Sequence, residues 1–246
     1  MVSSEAFFAQ VELSLKQVMQ TQMDTIKRTA DLLARKIQAN GVIHIFGSGH
    51  SRAFAMELSN RAGGLVPMHA MSFDDFLRRG VKNVDDVNDS TIERNPNIAH
   101  QLLDLYDIRD NDAAILVSNS GRNGALVEMA LLLKKREIPL IVVTSMEHTT
   151  QVSSRHPSGK RLFELADYVI DNCGPFGDAI LEDDALNTKV CSISSVTGAV
   201  IAQSLTAEII KRLIAQGYNV PVLISANVDG ADEHNAGLRN LYAGRI

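Results

Sequence analysis

The stretch VIHIFGSGHS, residues 42–51, joins a mostly apolar run to a short loop of glycine, serine and histidine. The stretch AAILVSNSGRNG, residues 113–124, has the same arrangement. Short apolar runs bounded by turn residues are typical of buried strands in a parallel sheet. In both stretches a segment with helical spacing of apolar residues follows the loop. Each stretch therefore predicts a strand, a loop and a helix in succession.

Both loops contain residue types that suit the binding of an anion. The start of a helix has unpaired backbone N–H groups and a partial positive charge. Glycine lets the backbone approach a ligand closely, and serine hydroxyls donate hydrogen bonds. We therefore expect a phosphorylated ligand to bind between the first loop (47–51) and the second loop (118–124). The candidate phosphate-binding residues are Ser48, Gly49 and Ser51 in the first loop, and Ser118, Asn119, Ser120, Gly121, Asn123 and Gly124 in the second. The alternative is that the serine and asparagine side chains only form turns and cap the following helices.

The alternation of apolar strands with helices predicts an α/β fold with a three-layer, doubly wound, five-stranded parallel sheet in the order 2-1-3-4-5. In such sheets the ligand binds beyond the carboxyl ends of the strands, where the strand order reverses. That point lies between the first and third strands, which carry the two loops. The predicted strands are 42–46, 65–71, 113–117, 139–144 and 168–171. The polar segment 72–93 is interpreted as irregular, and 225–235 as part of a polar tail.

A long N-terminal helix is predicted over residues 3–39. Its apolar residues recur at spacings of three, four or their sums, at Phe7, Val11, Leu15, Val18, Ile26, Ala30, Leu33 and Ile37. A helix of this length extends for about 50 Å, which exceeds the width of a small domain. We therefore expect part of it to contact another subunit, the alternative being a helix that lies only on its own domain. The whole chain, 1–246, is interpreted as one domain with a helical arm (3–39), a sheet core (40–217) and a C-terminal tail (218–246).

Composition argues against several classes of function. The net charge of −5 disfavours a nucleic-acid partner, which requires clustered Lys and Arg. No segment reaches the roughly 20 apolar residues needed to span a bilayer, and the first ten residues lack a signal-peptide pattern. We therefore expect a cytoplasmic protein with no membrane partner. The two cysteines and seven histidines show no metal-ligand spacing, so no metal or other cofactor is predicted.

The two loops together resemble a known family. The Gly-x-Gly-x-Ser pattern of 47–51, followed by Ser-Asn-Ser-Gly at 118–121, is similar to the sugar isomerase (SIS) domain, which includes phosphoheptose isomerases. The segment Glu57-Leu58-Ser59-Asn60-Arg61 also resembles a Glu-Leu-x-x-Arg segment of phosphoheptose isomerases. The resemblance covers about residues 40–217. It implies binding of a phosphorylated sugar and a homodimer or homotetramer with active sites shared between subunits. It does not imply a reaction, since some members only sense ligands.

Four residues are candidates for catalysis of an aldose–ketose isomerisation, which needs a base to move a proton between neighbouring carbons. Glu57 is one candidate base, although an ion pair with Arg61 at i, i+4 is the alternative role. His50 either moves a proton of the sugar ring or only lines the crevice. Glucosamine-6-phosphate synthase completes its sugar site with C-terminal residues. By that analogy alone, Glu233 and His234 are expected to reach an active site, of this chain or of a neighbour.

Two further functions compete with isomerisation. A sensor that binds a phosphosugar without chemistry is compatible with the same loops. Dinucleotide binding is less compatible, because Arg52 stands where the fingerprint requires its third glycine.

Overall fold

The computed structural model describes residues 2–89 and 91–246. Five parallel strands form one sheet in the order β2-β1-β3-β4-β5, which confirms the predicted fold class and strand order. The strands are β1 (Ile43–Gly47), β2 (Met68–Met71), β3 (Ala113–Val117), β4 (Leu140–Thr144) and β5 (Tyr168–Asp171). β1 pairs in register with β3, Gly47 opposite Val117, so the ends of these two strands are adjacent.

Helices cover both faces of the sheet and make three layers. The helices are α1 (Ser4–Gln38), α2 (Arg52–Leu58), α3 (Asp74–Arg78), α4 (Val84–Asn88), α5 (Asn97–Leu103), α6 (Gly124–Lys135), α7 (Met146–Thr150), α8 (Ser194–Ala215) and α9 (Ala231–Asn240). Apolar side chains of α1, α2 and α8 form the core on one face, and those of α3, α5 and α6 form the core on the other. β1, β3 and β4 are buried along their whole length, which explains their almost continuous apolar sequence.

The long helix α1 begins after Ser3, whose side chain accepts a hydrogen bond from the Ala6 N–H. Its buried apolar side chains are Val18, Ile26, Ala30, Leu33, Ala34 and Ile37, and this part packs on α8. Its first half contacts a two-stranded antiparallel hairpin, β6 (Ala179–Leu181) and β7 (Val190–Ser192), which the sequence did not predict. Phe8 and Met19 nevertheless remain 69% and 60% exposed. Contact of α1 with another subunit stays a prediction.

The interpretation of 72–93 as irregular was wrong for most of the segment. α3 and α4 are short helices, and a 3-10 turn at Ile92–Arg94 follows them. α4 begins with a capping box in which Asn83 and Asp86 bond to each other's backbone. Phe76 of α3 is completely buried. Helices of five residues have no repeated apolar stripe, so hydrophobic periodicity does not detect them.

The C-terminal tail docks at the edge of the sheet opposite to the two loops. Val222 pairs with Leu65, just before β2, and Leu223 packs with Val42 and Tyr242. The polar segment 225–235 runs into α9, which the sequence did not predict. None of the helices in the described ranges is both long and apolar enough to cross a membrane.

Candidate functional site

The two loops meet at one crevice at the carboxyl ends of β1 and β3. The crevice has a volume of about 450 Å³. Its walls include Ser48, Gly49, His50 and Ser51 from the first loop and Ser118, Asn119, Ser120 and Asn123 from the second. The fold therefore brings together most of the candidate residues from both loops.

Both loops keep backbone donors without an acceptor. Within the described residues, the N–H groups of Gly49, His50, Ser120 and Asn123 make no hydrogen bond. The Ser118 hydroxyl accepts from the Gly121 N–H at 3.1 Å, so the turn-forming alternative applies to that side chain. Helix capping does not account for the side chains of Ser51 and Asn123. Ser51 precedes α2 and Asn123 precedes α6, but neither side chain bonds to the start of its helix.

Packing alone requires a glycine at position 124. A Cβ at this position would lie 2.4 Å from the Arg94 carbonyl oxygen and 3.0 Å from the ring of Pro96. The 3-10 turn at Ile92–Arg94 therefore packs directly on the start of α6.

Gly124→Ala is expected to lower the free energy of unfolding by about 1–3 kcal/mol, because the turn must move to admit the methyl group. Urea denaturation followed by circular dichroism measures this. The matched control is Gly237→Ala on α9, where an added Cβ meets nothing within 4 Å. Equal stability of the Gly124→Ala and wild-type proteins would contradict the close packing.

Glu93 occupies the crevice between the two loops and was missed by sequence reasoning. One carboxylate oxygen accepts a hydrogen bond from the Ser48 hydroxyl, and the other accepts from the Asn123 side-chain amide at 2.6 Å. A carboxylate of the chain itself thus connects the loops that are predicted to hold an anion. Its partners are 45 and 30 residues away, and no local pattern marks such a contact.

A smaller cavity of about 90 Å³ adjoins the crevice and shares His50, Ser51, Asn119 and Ser195 with it. Glu57 lines this inner cavity. One oxygen of Glu57 pairs with Arg61, as in the ion-pair alternative, and the other accepts from the Gln203 amide at 2.7 Å. Glu57 is therefore both ion-paired and part of the cavity wall.

A chain of hydrogen bonds forms the floor between the crevice and α8. The buried Asn172 donates to the Asn119 side-chain oxygen at 2.7 Å, and the Asn119 amide donates to the Ser194 hydroxyl at 2.9 Å. Ser194 in turn donates to Asp178 at 2.7 Å, and Asp178 also accepts from the Ser194 N–H. The start of α8 is thus neutralised by a carboxylate of the chain, while Asn119 is held in place by two neighbours.

His148 on α7 also lines the crevice and was not among the sequence candidates. Its ring lies 4.8 Å from the ring of Phe176. Burial lowers the pKa of His148, and the nearby Asp178 opposes this shift only in part. His148 is therefore a neutral imidazole at pH 7. Its position just after β4 is the signal that would have found it, because side chains at this end of the strands face the ligand site.

Positive charge accumulates behind the second loop. Arg155 donates to the Asn123 side-chain oxygen at 3.0 Å. Burial and the positive charges of Arg122 and Arg94 lower the pKa of Arg155, and Glu93 opposes this only in part. The Nε atom of Arg122 is buried without a hydrogen-bond partner in the described part of the chain. An anion near this loop would relieve the repulsion between these guanidinium groups.

Glu233 and His234 do not reach the crevice of their own chain. Both lie on α9, at the opposite edge of the sheet, and the His234 ring contacts the Val222 carbonyl oxygen at 3.1 Å. A role for them in the crevice of a neighbouring subunit stays a prediction. Across residues 2–89 and 91–246, no group of three or more His, Cys, Asp or Glu side chains is arranged to hold a metal ion.

The sheet order and the paired loops define a doubly wound α/β domain with a crevice at the reversal of strand order. The SIS domain matches residues 6–145, more than half of the chain, and the chain belongs to the SIS domain family. This confirms the resemblance carried by the two loops.

Known relatives are similar to this chain over almost its whole length. A UPF0309 protein from Caldanaerobacter subterraneus subsp. tengcongensis is 37% identical over 246 residues, 98% of each chain. A UPF0309 protein from Geobacillus sp. is 36% identical, covering 98% of this chain and 96% of that protein.

Solved structures show the same fold at low sequence identity. The phosphoheptose isomerase of Neisseria gonorrhoeae has a TM-score of 0.57 at 15% identity, with 84% of this chain and 96% of that chain covered. The phosphoheptose isomerase of Francisella tularensis has a TM-score of 0.55 at 14% identity, with 86% and 100% covered. At such identities the likeness establishes the fold alone.

Proposed function

We propose that the crevice binds the phosphate group of a phosphorylated sugar and that the protein interconverts the aldose and ketose forms of this sugar. The observation that carries the proposal is the set of unpaired N–H groups contributed by both loops to one crevice. The positive charge of Arg94, Arg122 and Arg155 behind the second loop supports an anionic ligand. Membership of the SIS domain family and the fold shared with phosphoheptose isomerases agree with a phosphosugar.

The two adjoining cavities suggest how the sugar is oriented. The outer crevice, about 450 Å³, has the size of a small-molecule site and contains the loop donors, so it receives the phosphate. The carbon chain then extends past His50 and Asn119 toward the inner cavity and Glu57. The carbonyl end of the sugar is thereby directed to a carboxylate.

The chemical step requires one group that removes a proton and returns it. In this proposal Glu57 takes the proton from the carbon beside the carbonyl, which leaves an enediolate. The proton of the neighbouring hydroxyl group passes to the former carbonyl oxygen, and Glu57 delivers its proton to the former carbonyl carbon. Arg61 and Gln203 hold the carboxylate in position. His50 and His148 stand at the crevice wall, where an imidazole can accept the proton of the anomeric hydroxyl group and return a proton to the ring oxygen as the sugar ring opens.

One observation favours the alternative of a non-catalytic sensor. Both oxygens of Glu57 already have partners, Arg61 and Gln203. With both oxygens engaged in this way, neither reaches a carbon-bound proton unless Arg61 or Gln203 moves. A sensor would use the same loops to bind the phosphosugar and would leave it unchanged.

Binding and turnover are tested separately. Pentose, hexose and heptose phosphates are first screened by thermal shift against the matching free sugars, and phosphosugars alone are expected to stabilise the protein. The bound sugars are then incubated in deuterated water, and NMR measures deuterium at the carbon beside the carbonyl. Glu57→Gln is expected to reduce this incorporation by at least about a hundredfold while binding persists.

The control for this experiment is Glu12→Gln on the exposed side of α1. Binding without any deuterium incorporation in the wild-type protein would replace the isomerase with the sensor. Equal stabilisation by free sugars and phosphosugars would reject the phosphate site altogether.

We also propose a homodimer or homotetramer in which α1 takes part. Phe8 and Met19 are eleven residues apart, so they lie on the same side of α1, and both are exposed. The double substitution Phe8→Glu/Met19→Glu is expected to shift the protein to a monomer in analytical ultracentrifugation. Val81→Glu, at an exposed apolar residue away from α1, serves as the control. An unchanged oligomer in the double variant would exclude this face.

Sharing of active sites between subunits can be tested by mixing variants. If His234 of one chain serves the crevice of another, His234→Ala and Glu57→Gln are each inactive as pure proteins. Their mixed oligomers contain sites with both residues intact, so mixing is expected to restore part of the activity. No recovery on mixing, with subunit exchange demonstrated, would place each site within a single chain.

A further inference from the structure

A second cavity, about 380 Å³, lies at the outer edge of the sheet beside β2. It shares no lining residue with the crevice or with its inner cavity. The end of α2, strand β2, helix α3 and helix α9 contribute to its walls. Apolar residues form part of its surface, and the remaining lining residues are polar or charged. The apolar ones are Val66, Met68, Ala70, Leu223 and Ile246.

A buried chain of polar groups ends in this cavity. His44 is completely buried in β1, and its Nε2 atom lies 3.1 Å from the Asp112 carboxylate. Its Nδ1 atom lies 3.3 Å from the Nδ1 atom of His69, which lines the cavity. Buried polar groups of this kind are retained when every member has a partner. The Nε2 atom of His69, which is not completely buried, has no hydrogen-bond partner among the described residues.

The rim of the cavity has uncompensated positive charge. Arg78 pairs with Asp75 at 2.9 Å, so these two charges offset each other. Among the described residues, Asn60 is the one side chain to which the Arg239 guanidinium donates, at 2.8 Å, and it is neutral. The guanidinium group of Arg79 has no hydrogen-bond or ion-pair partner in the described ranges.

The carboxylate in the cavity wall is not free to bind a cation. Asp75 accepts from the Tyr106 hydroxyl at 2.5 Å and from the Ser72 N–H at 3.0 Å, in addition to its pair with Arg78. Its oxygens are therefore satisfied. The groups left for a ligand are cationic donors at the rim and one imidazole nitrogen in the wall.

We propose that this cavity binds a small hydroxylated organic anion, with the anionic group at Arg79 and Arg239 and a hydroxyl group at the Nε2 atom of His69. A hydroxyl group both donates and accepts, so it matches an imidazole nitrogen in either tautomer. A hydroxycarboxylate and a phosphate monoester have this chemistry in common. Since the cavity is separate from the crevice, both sites can be occupied at once, and this site does not depend on the function proposed above.

The state of His69 supports a hydrogen-bonding rather than a charge-pairing role. Burial lowers the pKa of His69 to about 4, with the neighbouring His44 as the next contribution. At pH 7 its ring is neutral, so the negative charge of the ligand is recognised by the arginines alone. The hydroxyl group then determines which anion fits.

Isothermal titration calorimetry with matched probes tests this site. Malate and succinate differ by one hydroxyl group, and 2-hydroxyethyl phosphate and ethyl phosphate form a similar pair of phosphate monoesters. The hydroxylated member of at least one pair is expected to bind at least about tenfold more tightly. It is also expected to shift the His69 ring signals in an NMR spectrum of the protein labelled with nitrogen-15.

Arg79→Gln is expected to weaken that binding by about tenfold to a hundredfold, since a charge-assisted hydrogen bond is lost. Arg136→Gln, at an exposed arginine beyond the end of α6, is the control and should bind as wild type. Because the Arg79 side chain is exposed, the variant is expected to fold, and its melting temperature verifies this. The proposal would be overturned if Arg79→Gln binds the probes as tightly as the wild-type protein does. It would also be overturned if no bound probe shifts the His69 signals. Equal affinity for the two members of both pairs would overturn it as well.

Discussion

Asp112→Ala is expected to lower the free energy of unfolding by about 3–5 kcal/mol, the usual cost of removing one partner from a buried charged network. Asp112 is completely buried just before β3. Its carboxylate accepts from the backbone N–H groups of Val42 and Arg109, both at 2.7 Å. It also bonds to His44 and, at 2.7 Å, to Arg245. Alanine would leave both backbone N–H groups without an acceptor in the protein interior and would leave the Arg245 guanidinium with Asp107, at 3.4 Å, as its charged partner.

Urea denaturation measures this effect, and Asp110→Ala provides the matched control. Asp110 is exposed two residues earlier in the chain, and its side chain makes no hydrogen bond in the described structure. Its substitution is expected to change stability by at most about 0.5 kcal/mol. A loss of less than about 1 kcal/mol in Asp112→Ala would show that the network contributes little.

The same carboxylate predicts a specific loss of stability in acid. Burial alone would raise the pKa of Asp112, but the hydrogen bonds from His44, Arg109, Val42 and Arg245 outweigh it and lower this pKa to about 2. Because this pKa lies below the unfolded value of 3.8, the ionised carboxylate stabilises the folded state at pH values above about 4. The stabilisation is lost as the pH falls from about 4 to 2. The stability advantage of wild type over Asp112→Asn should therefore shrink over this pH range. A constant difference between the two proteins from pH 5 to pH 2 would argue against a lowered pKa.

The sheet could be predicted from the sequence because its strands are local features. β3 and β5 occur at the predicted residues, since each is a short run with strand-forming residues between polar segments. The positions of the two loops follow from the strands, and the crevice follows from the loops. Each of these features is therefore marked by residues that are close together in the chain.

The remaining parts depend on contacts between distant segments. Glu93 joins the crevice only because the 3-10 turn that carries it packs on Gly124, and no residue near Glu93 signals that contact. Likewise, α9 has few apolar residues, and it is fixed by Asn235, whose side chain bonds to both backbone groups of Ile224. Periodicity does not detect either case, because the stabilising group is a single polar side chain rather than a stripe.

Glu93→Gln is expected to raise the affinity of the crevice for inorganic phosphate and for phosphosugars by about tenfold to a hundredfold. Glutamine preserves the length of the side chain but removes its charge. Two unit charges about 5 Å apart repel by about 3 kcal/mol at an effective dielectric constant of about 20, and solvent in an open crevice reduces this value. In the wild-type protein Ser48 and Asn123 also donate to Glu93, so phosphate must compete with this carboxylate for the same donors.

Calorimetric titration with phosphate measures the change, with Glu12→Gln as the control for loss of one negative charge far from the crevice. Weaker binding in Glu93→Gln would mean that the carboxylate organises the loops instead of opposing the ligand. Deuterium incorporation into the bound sugar then separates two chemical roles. Tighter binding with unchanged incorporation leaves Glu57 as the base and makes Glu93 an internal competitor of the phosphate. Tighter binding with incorporation abolished would assign proton removal to Glu93, because a neutral side chain of the same shape improves binding but has no carboxylate to accept the proton.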